Sequence, residues 1–371
     1  LKRQSNGAMS FQYDTNWLNR PSSRPVSLSL RLREQPYTGS IVYNFFENLL
    51  PDSRTIIEKI QTRFKVTSSH PFDLLATIGR DCIGAIQIYT KGESLSPVSS
   101  VTATPLSNTQ IGTLLREYYS SPLGMNDQSD FRISLAGAQE KTALLWHNGQ
   151  WNRPIGSTPT SHIIKLPIGK IAYSNIDLSE SCENEWLCLQ LANAFGLPAT
   201  HAELKLFDEQ MTLVVERFDR QWSSDGSWLM RLPQEDFCQA LGISPANKYE
   251  SMGGPSIKDG MALLMGAENP LHDREIFFKA QIFYWMLAAI DGHGKNFSIA
   301  IKAGGSYSLT PLYDIISGYP LFRNKSLQSN KVKMAMAMTG KNRHYEWQQI
   351  LPRHLVSTAN TCGLTKKQAY L

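Results

Sequence analysis

The order of apolar and polar positions predicts a strand-rich first part of the chain and a helix-rich second part. Helices are predicted where apolar residues cluster ahead of proline or glycine, over 42–50, 111–119 and 178–195. Strands are predicted where short apolar runs alternate with turn residues, over 141–146, 161–166, 202–207 and 211–218. Asn148-Gly149 predicts a turn between the first two strands. From about Asp236 helices dominate, and Gly304-Gly305 marks a hairpin over 298–312.

The most informative motif follows the apolar run Ile282 to Ile290, which predicts a buried helix leading directly into Asp291. Asn296 lies five positions after Asp291, and Asp314 follows 18 positions later, after the hairpin. Protein kinases use an acid, an amide and a second acid in this order: the first accepts the hydroxyl proton, and the other two hold Mg²⁺ on the phosphates. The spacing of the first pair is common by chance, so the prediction depends on the whole series. It makes Asp291 the catalytic base and Asn296 and Asp314 the Mg²⁺ ligands.

Other side chains are candidates for nucleotide contact. His293 and Lys295 lie inside the motif, and Tyr313 precedes the second acid; a lone histidine, however, is more often a structural hydrogen-bond partner. Lys165 lies in the apolar run 163–166, and a buried lysine needs a partner. In a kinase that partner is the ATP phosphates with a helix glutamate, for which Glu185 is the candidate. The alternative is an edge-strand lysine whose stem is buried and whose ammonium reaches water.

Two further segments carry weaker nucleotide-binding signals. The range 132–142 ends in Lys-Thr, as a Walker A loop does, but lacks the glycine pattern of that motif. Its candidates are Ala136, Gly137, Ala138, Gln139, Glu140 and Lys141, and the alternative is a polar β-turn. The range 215–220 ends a strand where kinases hold adenine and ribose, with Glu216, Phe218 and Asp219 as candidates. Its alternative is a solvated strand end with alternating charges.

Length and composition limit the class of protein. A chain of 371 residues predicts two or three domains, and we divide it into 1–128, an N-terminal subdomain, 129–225, a kinase-like N-lobe, and 226–371, a helical C-lobe with an incomplete C-terminus. Hydrophobic residues make up 42% of the chain, which is enough for a sizeable core. No apolar run reaches the roughly 20 residues of a membrane span, and no secretory leader is visible. We therefore predict no membrane partner.

The cysteines and the charge add two expectations. The five cysteines include no CxxC pair, which favours reduced thiols in the cytoplasm over a zinc site or a disulfide framework. The net charge of +5 permits contact with nucleic acid without requiring it. The range 315–345 contains basic but no acidic residues, which is usual for a solvated loop. Lys341 and Arg343 in that range are the candidates for DNA phosphate contact.

These motifs together resemble the HipA family, the bacterial serine/threonine kinase toxins of HipA–HipB toxin–antitoxin systems. The matching stretches span nearly the whole chain: 45–53, 71–75, 133–145, 162–169, 215–220, 231–236, 248–255, 291–298 and 312–317. The departures are small, since Gly294 stands where alanine is usual and Leu135 where valine is usual. The resemblance implies an α/β (α+β), two-lobed, protein-kinase-like fold with a strand-rich N-terminal lobe and a mostly helical C-terminal lobe.

The resemblance also implies activity and partners. It implies ATP and Mg²⁺ as cofactors, with the catalytic, metal and nucleotide roles given above, and Ser134 as a serine that the kinase phosphorylates on itself, with loss of activity. It implies glutamyl-tRNA synthetase as the protein substrate, whose phosphorylation blocks translation and promotes growth arrest and persistence. A HipB-like DNA-binding antitoxin is the implied partner, with autorepression at operator DNA. The implied location is the cytoplasm, with nucleoid association in that complex.

Two other functions remain open from the residues alone. One is a catalytically silent co-repressor; the presence of Asp291, Asn296, Asp314 and Lys165 argues against it. The other is a small-molecule or lipid kinase of related fold. Labelled-phosphate transfer with protein, aminoglycoside and lipid acceptors separates these functions.

Overall fold

The computed structural model describes residues 1–93, 97–117, 133–137, 139, 141–171 and 176–365. The α-helices are α1 Thr15–Leu18, α2 Ser40–Glu47, α3 Arg54–Phe64, α4 Pro71–Ile78, α5 Asn108–Arg116, α6 Ser181–Ala194, α7 Phe237–Leu241, α8 Ile257–Leu263, α9 Pro270–Met286, α10 Tyr319–Arg323 and α11 Pro352–Thr361. The strands of the N-terminal part are β1 Lys2–Arg3, β2 Met9–Phe11, β3 Tyr37–Thr38, β4 Asp81–Cys82, β5 Ala103–Pro105, β6 Ile133–Ser134, β7 Lys141–His147, β8 Gln150–Pro154, β9 His162–Lys165, β10 Gly169–Lys170 and β11 Asp177–Leu178. The remaining strands are β12 Ala202–Phe207, β13 Gln210–Glu216, β14 Arg220–Trp222, β15 Leu229–Arg231, β16 Gln234–Asp236, β17 Ser298–Ile301, β18 Tyr307–Leu309, β19 Lys333–Thr339 and β20 Arg343–Glu346.

The described residues form two compact units that are not contiguous in sequence. The first unit contains the described parts of 1–166 together with His201–Glu235 and Ile301–Gly305. The second contains the described parts of 167–200, Asp236–Ala300 and the chain from Ser306 onward. The boundary predicted at 128/129 lies outside the described residues, and the three-part division stays a prediction.

The first unit contains a six-stranded sheet in the order β12-β13-β9-β7-β8-β5. Asn148 (φ 51°) and Gly149 (φ 74°) make the turn from β7 into β8, because two successive positive φ values match the twist of a tight hairpin. We predicted this turn but missed β8, and assigned the turn to the next strand. β9 pairs with β13 on one side and β7 on the other. Lys165 is therefore in a central strand, and the edge-strand alternative is wrong.

The sheet is packed on both faces, because successive strand residues point to opposite sides. Leu144 and Ile164 lie in a buried cluster with Ile111 and Leu115 of α5. Their neighbour Ala143 lies in a second cluster, formed with apolar residues of α2, α3 and α4. The two clusters make the sheet the centre of the first unit, and burial on both faces explains the continuous apolar runs of its strands.

The second unit is built on α6 to α9 and an aromatic cluster. The ring of Phe297 lies 4.9 Å from that of Phe277 and 5.5 Å from that of Tyr284. α9 ends at Met286, so the helix predicted to run to Ile290 is shorter than expected. Ala288 has a left-handed φ of 48°, which an α-helix cannot contain. The chain therefore reaches Asp291 through a loop.

The sequence did not reveal the sheet of β19 and β20. The range that we took for a solvated loop includes β19, where residues 334–338 are buried. Thr339 at its end donates a backbone hydrogen bond to Thr358 of α11 over 2.7 Å. A strand that is buried on both sides and made of alanine and methionine has no two-residue alternation, so the pattern gave no signal. The predicted β17–β18 hairpin is confirmed, with positive φ at Gly304 and Gly305.

Candidate active site

Two glycines fix the path of the loop from Asp291 to Asn296. A Cβ on Gly292 would lie 2.2 Å from Cδ2 of Tyr284, and one on Gly294 would lie 2.7 Å from Cγ of Pro255. Neither position therefore accommodates a side chain without a shift of its neighbours. The Gly294 amide donates to the carbonyl of Lys248 over 3.1 Å. Close packing around these two glycines therefore holds the loop in place.

Asp291 presents a carboxylate that is 63% exposed. The Tyr249 hydroxyl donates a hydrogen bond to its Oδ1. Nε2 of His293 lies 4.0 Å from the same oxygen, and the His293 ring packs edge-on against the Tyr249 ring at 5.0 Å. An accessible carboxylate held by a neighbouring donor has the geometry that a general base needs.

Asn296 is buried and oriented by Asp314. Its Nδ2 donates to the backbone carbonyl of Asp314 over 3.3 Å. Its Oδ1 is buried without a hydrogen-bond partner among the described residues. Asp314 itself has a left-handed φ of 58°, which is unusual outside glycine and is typical of functional sites.

These groups fit a magnesium ion. Mg²⁺ takes oxygen ligands, uses few protein side chains and keeps its other positions for water and phosphate. The buried Asn296 Oδ1 is an oxygen that lacks a protein partner within the described part of the chain, and the Nδ2 of the same side chain is bonded to the backbone of Asp314, the second predicted ligand. Within the ranges that the structure describes, no group of three or more His, Cys, Asp or Glu residues could hold a metal ion.

Tyr313 and Lys295 support this site through buried contacts. The Tyr313 hydroxyl donates to the carbonyl of Lys295 over 2.8 Å and lies 2.6 Å from Oγ of Ser298. Burial, and then the charge of Asp236, raise the pKa of Tyr313 well above its ordinary value, so the ring stays neutral. Nζ of Lys295 lies 3.6 Å from Oδ2 of Asp236, and both side chains are buried. Their direct contact with nucleotide, like that of His293, stays a prediction.

The predicted phosphate-binding side chains lie in the first unit. Lys141 and Lys165 are directly opposite each other on β7 and β9 and are only 7% and 6% exposed. Paired lysines repel each other, so their placement concentrates positive charge at one point of the sheet. A Cβ on Gly137 (φ 105°) would lie 2.7 Å from Nζ of Lys141, so the loop backbone approaches this ammonium closely. Gln139 donates from its side chain to the carbonyl of Leu166 over 2.8 Å.

The remaining predicted positions differ in burial, and the structure does not describe all of them. Ala136 is half-buried, whereas Ala138 and Glu140 lie outside the described residues. Ser134 is fully buried, and its hydroxyl donates to the carbonyl of Leu49 over 2.6 Å. Glu185 is buried on α6 of the second unit, and its predicted pairing with Lys165 stays a prediction.

The candidate residues for adenine and ribose contact differ in burial. Glu216 is exposed at the end of β13, and Phe218 is half-buried. Asp219 is buried, with its Oδ2 accepting from the Gly84 amide over 2.6 Å and from Nη2 of Arg217 over 2.8 Å. Burial acts to raise the pKa of Asp219, but the charges of Arg217 and Arg220 outweigh it and hold that pKa below the ordinary value. A ribose contact would require this carboxylate to leave these partners, so it stays a prediction without support from the contacts.

Asp219 belongs to a buried charge cluster that we did not predict. Asp81 accepts from Nη2 of Arg220 and from Nε of Arg231, each over 2.9 Å. The cluster comprises Asp81, Arg217, Asp219, Arg220 and Arg231, with side chains between 1% and 8% exposed. The alternating charges of 215–220 were its sequence signal, which we took for a nucleotide contact or a solvated strand end.

The two candidates for DNA contact also differ. Lys341 is exposed after Gly340. Arg343, 67% exposed, lies with its Nε 3.5 Å from Oε1 of the buried Glu250. Their contact with DNA stays a prediction.

Family models match most of the chain. The HipA N-terminal domain matches residues 1–89, and the HipA-like C-terminal domain matches residues 133–370. A putative kinase, Y4mE of Sinorhizobium fredii, is 35% identical over 320 residues, which cover 85% of this chain and 74% of that protein. The serine/threonine-protein kinase toxin HipA of Shewanella oneidensis is 27% identical over 316 residues, covering 82% and 69%.

The fold is also that of a solved HipA. The HipA chain of the S. oneidensis complex of HipA, HipB and operator DNA superposes with a TM-score of 0.80 and 23% identity, covering 99% of this chain and 83% of that one. The match confirms the predicted fold class, kinase-like with a strand-rich N-terminal part and a mostly helical C-terminal part. None of the helices within the described ranges is long and apolar enough to cross a bilayer. From the domain matches and the shared identity, the chain belongs to the HipA family of kinases.

Proposed function

We propose that this protein is an ATP- and Mg²⁺-dependent serine/threonine protein kinase toxin. The observation that carries the proposal is the buried Oδ1 of Asn296, which lacks a partner among the described residues and sits beside Asp314. A buried polar atom without a partner is costly unless a ligand satisfies it. A divalent ion on ATP phosphates is such a ligand, and the exposed carboxylate of Asp291 lies five residues away in the chain.

The proposed reaction transfers the γ-phosphoryl group to a protein hydroxyl. Asp291 accepts the proton of a serine or threonine hydroxyl, and the oxygen of that hydroxyl forms a bond to the γ-phosphorus of ATP. The bond between that phosphorus and the β–γ bridging oxygen breaks, and ADP leaves with this oxygen. Asn296 and Asp314 would hold the Mg²⁺, which when bound neutralises charge on the phosphates. Positioning and charge neutralisation supply most of the rate enhancement in such a reaction.

The nucleotide would be held by the two opposed lysines in the sheet of the first unit. Lys165 and Lys141 provide two ammonium groups whose mutual repulsion an anion relieves. The backbone from Ala136 to Lys141 would cradle the phosphates. The backbone at Glu216 and Phe218 would hold the adenine. Both lysines are buried and directly opposite each other on adjacent strands, which supports their proposed role as phosphate contacts.

The biological setting follows the family. The proposed protein substrate is glutamyl-tRNA synthetase, and the proposed partner is a HipB-like antitoxin that brings the complex to operator DNA as an autorepressor. The solved S. oneidensis structure contains HipA with HipB and its operator. The proposed location is the cytoplasm, with nucleoid association in that complex.

Ser134 is the proposed site of self-phosphorylation. It is fully buried in this structure, so the hydroxyl becomes reactive only when its segment leaves the Leu49 carbonyl. A phosphate adds about −1.5 to −2 charges, which cannot return to a buried apolar position. Phosphorylation would therefore keep the segment out and inactivate the kinase.

Transfer of labelled phosphate tests the proposed function. The purified protein is incubated with γ-labelled ATP, Mg²⁺ and glutamyl-tRNA synthetase, beside an Asp291→Asn variant and a chelator control. The proposal predicts label on the synthetase only with the wild-type protein and Mg²⁺. Label on an aminoglycoside or a lipid instead would show a small-molecule or lipid kinase. ATP binding without transfer to any acceptor would show a silent co-repressor.

A further inference from the structure

The exposed carboxylate of Asp291 is tied to a residue that the motif does not include. Tyr249 donates its hydroxyl hydrogen to Oδ1 of Asp291 across 42 residues of sequence. Among the described contacts of this carboxylate, the His293 approach at 4.0 Å also involves Oδ1. A proton taken from the acceptor would therefore go to Oδ2.

Tyr249 is itself held by a tight backbone turn. Its carbonyl accepts from the Gly254 amide over 2.9 Å, while the neighbouring Lys248 carbonyl accepts from the Gly294 amide over 3.1 Å. A Cβ on Gly254 would lie 2.1 Å from the carbonyl oxygen of Asn247, so the turn requires glycine there. The Lys248–Gly294 backbone bond and the Tyr249–Asp291 side-chain bond thus fasten the segment 247–254 to the catalytic loop.

The next residue anchors the turn to β19 and β20. Glu250 is 7% exposed, and its Oε2 accepts from the Ala337 amide of β19 over 2.6 Å. Its Oε1 lies 3.5 Å from Nε of Arg343 on β20. Burial raises the pKa of Glu250, while the Ala337 amide and Arg343 act against that rise. A buried carboxylate with these partners resists rotation. Glu250 therefore fixes the backbone position from which the Tyr249 side chain reaches Asp291.

We propose that Tyr249 is a positioning residue for the catalytic carboxylate, held in place by the Glu250 anchor. The inference rests on the proposed kinase function and adds a residue to its machinery. A carboxylate that is 63% exposed samples several rotamers, and each wrong rotamer moves the base away from the acceptor hydroxyl. The Tyr249 bond selects one rotamer and directs Oδ2 toward the acceptor. The phenol contacts Oδ1 and leaves Oδ2 to take the proton.

The Tyr249→Phe variant tests the role, because it removes one oxygen and keeps the ring that packs on His293. We expect kcat to fall on the order of 10- to 100-fold with an unchanged KM for ATP, since the loss affects the base and not the nucleotide. The matched control is Tyr307→Phe, which loses a hydroxyl bond of 2.6 Å to the Leu263 carbonyl elsewhere in the same unit. An unchanged kcat in Tyr249→Phe, or an equal fall in both variants, would overturn the proposal.

Hydrogen exchange tests the same bond without relying on activity. We expect the amides of 291–297 to exchange faster in Tyr249→Phe than in the wild-type protein, and to be unchanged in Tyr307→Phe. Equal exchange in all three proteins would contradict the positioning role. If the wild-type protein transfers no phosphate, the proposed function fails, while the exchange rates still decide whether Tyr249 holds the loop.

Discussion

The side-chain amide of Asn296 donates to the backbone carbonyl of Asp314 over 3.3 Å, across the β17–β18 hairpin. The bond uses the side-chain nitrogen of Asn296, so the oxygen of the same side chain keeps its lone pairs available for a metal ion. It also holds the Asn296 side chain against the backbone of Asp314 before any ion binds. A site whose ligands are already oriented loses little entropy on binding, which favours tight positioning of the phosphates.

Replacements of Asp314 should separate its backbone strain from its chemistry. We expect Asp314→Gly to have a free energy of unfolding about 1 kcal/mol higher than Asp314→Ala, because glycine adopts the left-handed φ of 58° without a penalty. Both variants should lose phosphate transfer. Urea unfolding measures the stability of the two variants, and labelled ATP measures their phosphate transfer. Equal stability of the variants would show that the left-handed φ costs no free energy.

The buried charge cluster should control stability in acid. Asp81 is paired with Arg220, Arg231 and Arg217, which outweigh burial and hold its pKa below the ordinary value. A carboxyl with a lowered folded-state pKa stabilises the fold above its unfolded value of about 3.9, and this stability is lost as the pH falls below that value. We expect wild-type stability to drop below about pH 4, and Asp81→Asn to lack this part of the drop.

At neutral pH, Asp81→Asn should have a free energy of unfolding about 3–5 kcal/mol lower than that of the wild type, because it removes one of the two buried carboxylates that balance three buried arginines. The matched control is Asp208→Asn, which breaks an exposed ion pair of 2.6 Å with Arg116 and should cost less than about 1 kcal/mol. Urea titrations from pH 7 to pH 3 provide both comparisons. Similar losses in the two variants would show that the cluster adds no more than a surface pair.

Lys165 should carry nucleotide affinity. Lys165→Gln removes a buried ammonium from the centre of the sheet, and we expect the Kd for ATP to rise about 10- to 100-fold. Lys205→Gln is the control, since Lys205 is a lysine of β12 in the same sheet that packs over Trp146 at 5.3 Å. Isothermal titration gives both constants. An unchanged Kd in Lys165→Gln would assign this lysine a structural role only.

Ser134 should act as a switch for nucleotide binding. We expect Ser134→Asp to bind ATP poorly, because its charge cannot stay in a fully buried position and the adjoining loop must move. Ser134→Ala keeps the burial and loses only the bond to Leu49, so its affinity should stay close to wild type. A nucleotide titration that finds wild-type affinity in Ser134→Asp would count against the idea.

Lys341 and Arg343 should contribute to operator binding in the complex with a HipB-like antitoxin. Neutralising both to glutamine should lower the salt dependence of binding by about one unit of slope for each DNA phosphate that these side chains neutralise. Lys170→Gln, an exposed lysine beside Asp177, is the control. If operator affinity of the double variant equals that of wild type at several salt concentrations, these residues do not bind DNA. Arg343 also pairs with Glu250, so Lys341→Gln alone is the cleaner test.

The sequence predicted elements whose signals are local. The spacing of Asp291, Asn296 and Asp314 is visible in the sequence itself. The apolar runs of β7, β9, β12 and β13 are long enough to identify these segments as strands. The end of α9 was missed because Ala288 leaves the helix at a position without proline or glycine. Local propensity alone does not show such a turn, since tertiary packing decides it.

The unpredicted features come from contacts between distant parts of the chain. Arg220 meets Asp81 across 139 residues, and Tyr249 meets Asp291 across 42. No periodicity connects such pairs, and a charged residue in a sequence looks the same whether it is buried in a cluster or solvated. The solvated loop over 315–345 and the solvated strand end over 215–220 failed as predictions because they needed to know which residues are buried.

Binding of Mn²⁺, a paramagnetic substitute for Mg²⁺, tests whether Asn296 and Asp314 share one divalent ion. The measurement is the electron paramagnetic resonance of Mn²⁺ titrated into the protein with a non-hydrolysable ATP analogue. We predict a bound signal in the wild-type protein and in Asp291→Asn, and its loss in Asn296→Ala and Asp314→Asn. Equal binding of Mn²⁺ by the Asn296→Ala protein would contradict the account.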